Sequence, residues 1–212
     1  MSAVRFAVVG TNFITDNLLQ VAIGLPGFKL AAVYSRTQER ATEYASKYEC
    51  PTTFTNLLDL AKSDQVDAVY IASPTSEHAK QAILMLEHGK HVLCEKPVCS
   101  HSRELEAVLR SAKTSGCTFM EAMRPLKTPN YALVKQTMAE MGPVQHFTGT
   151  FCQLSSRWPA YLEGKRPNAF LPELSNGALM DLGCYAVYCA VGLFGPPTSA
   201  AYAATMLPTG VD

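Results

Sequence analysis

The chain opens on an apolar run over residues 4–9 that ends at Gly10, followed by a helical period over residues 14–23. A short apolar strand closed by Gly, Ser or Asp and followed by a helical pattern predicts a βα unit. The pattern repeats. Residues 28–34 predict a second strand and 38–47 a polar helix, and a short third strand near 52–54 leads to a brief helix over 57–63. Residues 68–72 predict the fourth strand and 77–87 its helix, with Gly89 at the C-terminal end. A fifth strand over 91–94 precedes a helix over 102–115, with Ser102 as N-cap and Gly116 closing it. A sixth strand over 118–123 completes the series. Strands alternating with helices in this way imply a doubly wound, mainly parallel sheet spanning residues 1–122.

Near Met123 the pattern changes, and the domain boundary is expected there. Residues 130–141 predict a helix that stops at Gly142-Pro143. Residues 144–153 alternate like a half-buried strand, and 199–206 predict another, as in an antiparallel sheet with one open face. Between them, residues 155–176 are irregular and rich in Pro and Arg, the kind of long loop that borders a binding site. Asn176-Gly177 opens an apolar helix to residue 194. Residues 123–212 therefore predict part of an α+β domain with a mainly antiparallel open sheet.

Composition narrows the function. Basic and acidic side chains balance at 18 each, so neither nucleic acid nor an acidic membrane is expected as partner. The longest uncharged apolar run, residues 183–193, is too short to span a bilayer. The N-terminus goes straight into a strand without a signal-peptide pattern, and the seven cysteines show no CxxC spacing. A cytoplasmic protein with reduced thiols, no metal site and a small-molecule ligand is the expectation.

The ligand end of such a sheet lies outside the carboxyl ends of its strands. The first turn, Gly10-Thr11-Asn12-Phe13-Ile14, keeps one glycine of a dinucleotide fingerprint, with Asn12 in the second slot as the next-best residue for positive φ. Backbone amides at the following helix N-terminus suit a pyrophosphate. After the second strand stand Ser35-Arg36-Thr37, where an acid would select a ribose 2′-hydroxyl. A hydroxyl and a guanidinium there favour NADP(H) over NAD(H). Ser73, Pro74, Thr75 and His78 follow strand four, and Glu95-Lys96-Pro97 follows strand five. In the late apolar helix, Asp181 and Tyr185 are four residues apart and share a face, and a buried acid there is costly unless paired or used.

The opening Val-Val-Gly turn, Ala-Ser-Pro-Thr-Ser-Glu-His at 72–78, Glu95-Lys96-Pro97 and the run 176–185 occur together and in order. With them the whole chain resembles the glucose-fructose oxidoreductase / inositol dehydrogenase family, whose nucleotide domain has the Rossmann fold. The Met120-Glu121-Ala122 strand and Tyr185 resemble its dihydrodiol and xylose dehydrogenase branch most. The resemblance implies an oxidoreductase moving a hydride between a nicotinamide and a sugar, polyol or dihydrodiol. It implies Lys96 as catalytic lysine, Tyr185 as acid/base and Asp181 as the carboxylate that contacts substrate or orients the pair, with Arg124 and Arg166 near the substrate. A homo-oligomer formed through the second-domain sheet is also implied. The alternative is a dinucleotide-binding regulator without turnover. Asn12 and Thr15 depart from the fingerprint glycines, and the segment after Ala122 lacks the branch's aromatic-Arg-Phe run. Members of the family run longer, so an unfinished second-domain sheet is expected at Asp212.

Overall fold

Runs such as Ala-Val-Val at 7–9 and Ala-Val-Tyr-Ile at 68–71 offer no polar face to water, and all of these side chains are buried. The computed structural model describes residues 3–212, which divide into two units that meet in sequence between Ala122 and Met123. In the first unit, strands β1 (Val4–Val9), β2 (Phe28–Tyr34), β3 (Thr53–Phe54), β4 (Ala68–Ile71), β5 (His91–Cys94) and β6 (Phe119–Glu121) form one sheet in the order β3-β2-β1-β4-β5-β6. Every neighbouring pair is parallel. This is the doubly wound Rossmann arrangement, with the order reversing between β1 and β4.

Alternate strand residues point to opposite faces, and each face has its own core. Ala7, Val9, Val69, Ile71 and Val92 pack with Leu60, Met85, Leu86 and Val108. Val8, Val33 and Tyr70 pack on the other side with Leu19 and Tyr44. These come from helices α1 (Phe13–Ala22), α2 (Gln38–Lys47), α3 (Leu57–Lys62), α4 (Thr75–Glu87) and α5 (Ser102–Ser115). Helix α5 starts where the sequence suggests, but its cap is His101 and not Ser102. The His101 Nδ1 accepts the Glu104 amide at 3.3 Å, while the Glu104 carboxylate accepts the Ser100 amide at 2.8 Å. Gly116, at φ 69, closes the helix.

Two carboxylates tie neighbouring elements together. Asp67 accepts from the Arg5 amide at 2.9 Å and from its guanidinium at 2.9 and 2.6 Å. Asp16 of α1 accepts the hydroxyls of Tyr44 and Tyr48 from the α2 side, at 2.7 and 2.6 Å, and pairs with Lys47 at 3.0 Å. The hydrogen bonds from Tyr48 and Tyr44 hold Asp16 down at about 2, and Arg5 does the same to Asp67. A carboxyl depressed on folding stabilises the fold above its ordinary value of 3.8 and loses that contribution as pH falls toward about 2. The urea midpoint, followed by circular dichroism, is therefore expected to drop across that interval, and Asp16→Asn should flatten part of the slope. A midpoint independent of pH there would contradict the assignment.

The second unit departs from its sequence pattern. Helix α6 (Pro129–Met141) forms, followed by α7 (Trp158–Leu162) and α8 (Cys184–Phe194). Residues 144–153 and 199–206, expected as strands of an antiparallel sheet, carry no ladder pairing among the described residues. Alternation specifies which side chains face alike, but a strand also needs a hydrogen-bonding neighbour, and the period-2 pattern cannot supply one. The late helix is also not continuous from 176. Ser175 at φ 58 and Gly177 at φ 144 interrupt it, and Leu179–Gly183 is a π-helical turn leading into α8. Residues 172–194 are long and apolar enough for a bilayer span by length and composition. The unbroken helical part, residues 178–194, covers about 25 Å, short of a hydrocarbon core of about 30 Å.

Candidate active site

The carboxyl ends of β1, β4 and β5 lie side by side, and the turns leaving them interlock. Gly10, at φ 108, brings its Cα against the Ala72 carbonyl at the end of β4, where a Cβ would collide. Only glycine satisfies both the dihedral and the approach. Asn12, expected at positive φ, instead has φ −116 and caps α1. Its Oδ1 accepts the amides of Ile14 and Thr15 at 3.0 and 3.3 Å, and its Nδ2 donates to the Ala72 carbonyl at 2.7 Å. Thr15, in the third glycine slot, is fully buried and donates to the Gly10 carbonyl at 2.7 Å. Polar side chains thus do here what glycines do in the fingerprint: they hold the turn close to its neighbour. Phe13, the first residue of α1, is 60% exposed.

Beyond β2, the Ser35 amide donates to the Phe54 carbonyl at 3.1 Å, extending the β2–β3 pairing by one residue. Arg36 is exposed. The Thr37 hydroxyl caps α2 by accepting the Arg40 amide at 3.3 Å. Arg40 is the residue that the sequence reading missed. From α2 its guanidinium donates to the Thr11 hydroxyl at 3.0 Å and the Thr11 carbonyl at 2.7 Å, and pairs with Glu43 at 2.8 Å. The β1 turn therefore meets the β2 end through a cation. The available signal was a second arginine in the first turn of α2, close in sequence to Ser35-Arg36-Thr37. Ser35, Arg36, Thr37 and Arg40 form a donor set at the end of β2, which fits a phosphorylated ribose.

The loops after β4 and β5 are joined by His78. Its Nε2 lies 2.8 Å from the Ser73 carbonyl and its Nδ1 2.9 Å from the Pro97 carbonyl, and the ring is buried. Burial pushes its pKa below the ordinary value, while the two carbonyls pull the other way. The ring, expected among cofactor contacts, thus lies between the two loops, its N–H donating to one carbonyl in the neutral form and to both only when protonated. Ser73 donates its hydroxyl to the Gln81 side-chain oxygen at 2.8 Å, Pro74 precedes α4, and Thr75 begins it, buried. Glu95 accepts the hydroxyl of buried Tyr70 at 2.6 Å and the Lys96 amide at 3.2 Å. Lys96, half-buried, is thereby fixed at the carboxyl end of β5.

In the second unit, Arg124 opens a 3₁₀ turn over Arg124–Lys127, and Arg166 pairs with Glu173 at 3.3 Å on the surface. Asp181 lies in the π turn and is exposed, so the cost of a buried acid argued from the sequence does not arise. Tyr185 starts α8 half-buried, its ring 5.4 Å from that of Phe151. The π turn between them replaces the expected α-helical i, i+4 stacking, and such turns gather at functional sites.

The family model described as the oxidoreductase family with NAD-binding Rossmann fold (Gfo/Idh/MocA) matches residues 4–123, and the Gfo/Idh/MocA C-terminal domain model matches 131–212. The scyllo-inositol 2-dehydrogenase (NADP(+)) IolU of Bacillus subtilis is 48% identical over 209 residues, covering 99% of this chain and 64% of the relative. The D-xylose 1-dehydrogenase (NADP(+)) 2 of Haloferax volcanii is 33% identical, covering 91% and 58%. The chain thus spans less than two thirds of the length of these relatives. The crystal structure of KijD10, a 3-ketoreductase from Actinomadura kijaniata, in complex with NADP and TDP-benzene, has a TM-score of 0.75 at 23% identity. It covers 92% of this chain and 58% of that one, a likeness of fold.

Proposed function

The chain belongs to the Gfo/Idh/MocA oxidoreductase family, and from that premise we propose that it is an NADP(H)-dependent dehydrogenase of sugars, polyols or dihydrodiols. One observation carries the reading: the carboxyl edge of a single parallel sheet bears both the Gly10–Ile14 dinucleotide turn and the anchored Lys96. The polyol and sugar part of the class follows the names of the Bacillus and Haloferax relatives, and the dihydrodiol part follows that of the trans-1,2-dihydrobenzene-1,2-diol dehydrogenase of Xenopus laevis.

Gly10, Thr11, Asn12, Phe13 and Ile14 would hold the pyrophosphate, Ser35, Arg36, Thr37 and Arg40 the ribose phosphate, and Ser73, Pro74, Thr75, Glu95, Lys96 and Pro97 the nicotinamide end. When bound, the cofactor supplies a nicotinamide that takes or returns the hydride. The chain's own residues handle the proton. Tyr185 removes it from the substrate hydroxyl during oxidation and returns it during reduction. The Lys96 ammonium stabilises the negative oxygen that develops, and Asp181 orients the substrate. Arg124 and Arg166 contribute charge to the substrate region. Exposed apolar side chains of the second unit, Leu133, Phe147 and Leu154 among them, support self-association there. The free thiols, buried Cys94 and Cys99 included, suit a cytoplasmic setting.

The cofactor assignment is tested by titrating NADPH and NADH separately. NADPH is expected to bind more tightly, and Arg36→Ala to narrow the gap by about 1–3 kcal/mol, the scale of a charge-assisted contact. Arg40→Ala should weaken both nucleotides, because Arg40 also holds the Thr11 turn. NADH binding as tight as NADPH in the unaltered chain would overturn the assignment.

A further inference from the structure

Lys96 sits in the middle of a turn, Glu95-Lys96-Pro97, that leaves the sheet at Cys94. Strands β5 and β6 run parallel in a register that pairs Cys94 with Glu121, and the Ala122 amide donates to the Cys94 carbonyl at 2.8 Å. Glu121, the last residue of β6, then reaches across: its Oε1 accepts the Val98 amide at 2.9 Å. The turn is therefore fastened to β6 at both ends, by the strand ladder before Lys96 and by the Glu121 carboxylate after it. On the other side the Glu95 carboxylate is held by the Tyr70 hydroxyl at 2.6 Å and accepts the Lys96 amide.

Several charged and titratable groups surround this turn. Burial pushes the Glu121 carboxyl up, and Glu95 adds to that, while the Val98 amide and the Lys96 charge pull it down. A buried carboxylate keeps its charge only when hydrogen bonds and a nearby cation offset the lost hydration. Other titratable neighbours include Tyr70, whose hydroxyl burial keeps protonated, Glu104, which acts on Cys99, His78 on α4, which burial favours neutral, and the thiols of Cys94 and Cys99, both pushed up by burial and so protonated at neutral pH.

We propose that Glu121 is a positioning residue: it fixes the Lys96 turn through the Val98 amide, and its carboxylate adds an attraction that favours the Lys96 ammonium over the free amine. The inference rests on the proposed function only in taking Lys96 as the residue that acts at the substrate.

The test reads Lys96 directly and needs no substrate. Competitive acetic anhydride labelling of the whole chain, with mass spectrometry, gives the titration midpoint of the Lys96 amine, and hydrogen exchange gives the protection of the Val98 amide. Glu121→Gln keeps an acceptor for Val98 but removes the charge, so the Lys96 midpoint should fall by about one pH unit with Val98 protection retained. Glu121→Ala should lower the midpoint and also raise Val98 exchange. An unchanged Lys96 midpoint in Glu121→Gln, or unchanged Val98 exchange in Glu121→Ala, overturns the proposal. Should both variants fail to fold, carboxyl NMR of the ¹³C-glutamate-labelled chain supplies the reciprocal measurement. Glu121 should titrate higher in Lys96→Met than in the unaltered protein, and an equal value refutes the coupling. A shifted Lys96 without turnover on any substrate keeps this inference and sinks the proposed function, and turnover with an unshifted Lys96 does the reverse.

Discussion

Lys96→Met is expected to lower kcat by about 10²–10³-fold, the usual cost of removing one preorganised charge aimed at a developing oxyanion. Methionine matches the length of the lysine stem and keeps the Glu95 contact to the backbone amide, since that bond needs no side chain at 96. The loss would therefore report the charge and not a rearranged turn. Circular dichroism and the urea midpoint should stay close to those of the unaltered protein, because Lys96 is only half-buried. Turnover within a few-fold of normal would remove Lys96 from the chemistry and favour a dinucleotide-binding regulator.

Tyr185→Phe is expected to cost about 10²–10⁴ in kcat by deleting the proton route. The ring that packs against Phe151 remains, so stability should change little. NADPH affinity should also hold, because on this account Tyr185 faces substrate. The double variant separates a functional pair from two independent residues. If Lys96 serves by stabilising the oxygen that Tyr185 protonates, the double variant should lose far less than the product of the two single losses. Multiplicative losses would show that the two act separately.

The parallel sheet was legible because a strand buried on both faces leaves a continuous apolar run, and the six runs alternate with helices. What lay between elements was less so. Asn12 reads as a substitute for glycine only if φ decides its choice, whereas its side chain is worth more as the cap of α1 and the tie to Ala72. His101 outcompeted Ser102 for a similar reason: which residue caps depends on where the backbone turns, one residue earlier than the polar pattern suggests. His78 sits in a motif that lines the ligand edge, but its burial and its two carbonyl partners emerge only once β4 and β5 are adjacent. The contacts of Arg40 and Glu121 went unread because each acts on a segment far away in sequence, Thr11 and Val98. In the second unit the alternation over 144–153 was real, and Phe147 and Phe151 do pack on Phe194 and Tyr185 of α8. The ladder it implied was absent among the described residues. The spacing of four between Asp181 and Tyr185 read as one α turn, whereas a π turn lies there.

The central claim is hydride transfer to NADP from a polyol or sugar hydroxyl, and it is tested most directly by following NADP⁺ reduction by absorbance against a panel. The panel holds scyllo-inositol, other inositols, D-xylose and related aldoses, and a trans-dihydrodiol, each assayed in parallel with NAD⁺. The account predicts reduction with at least one of them, faster with NADP⁺ than with NAD⁺ and lost in Lys96→Met. NADPH that binds tightly, with no turnover on any member of the panel in either direction, would contradict it.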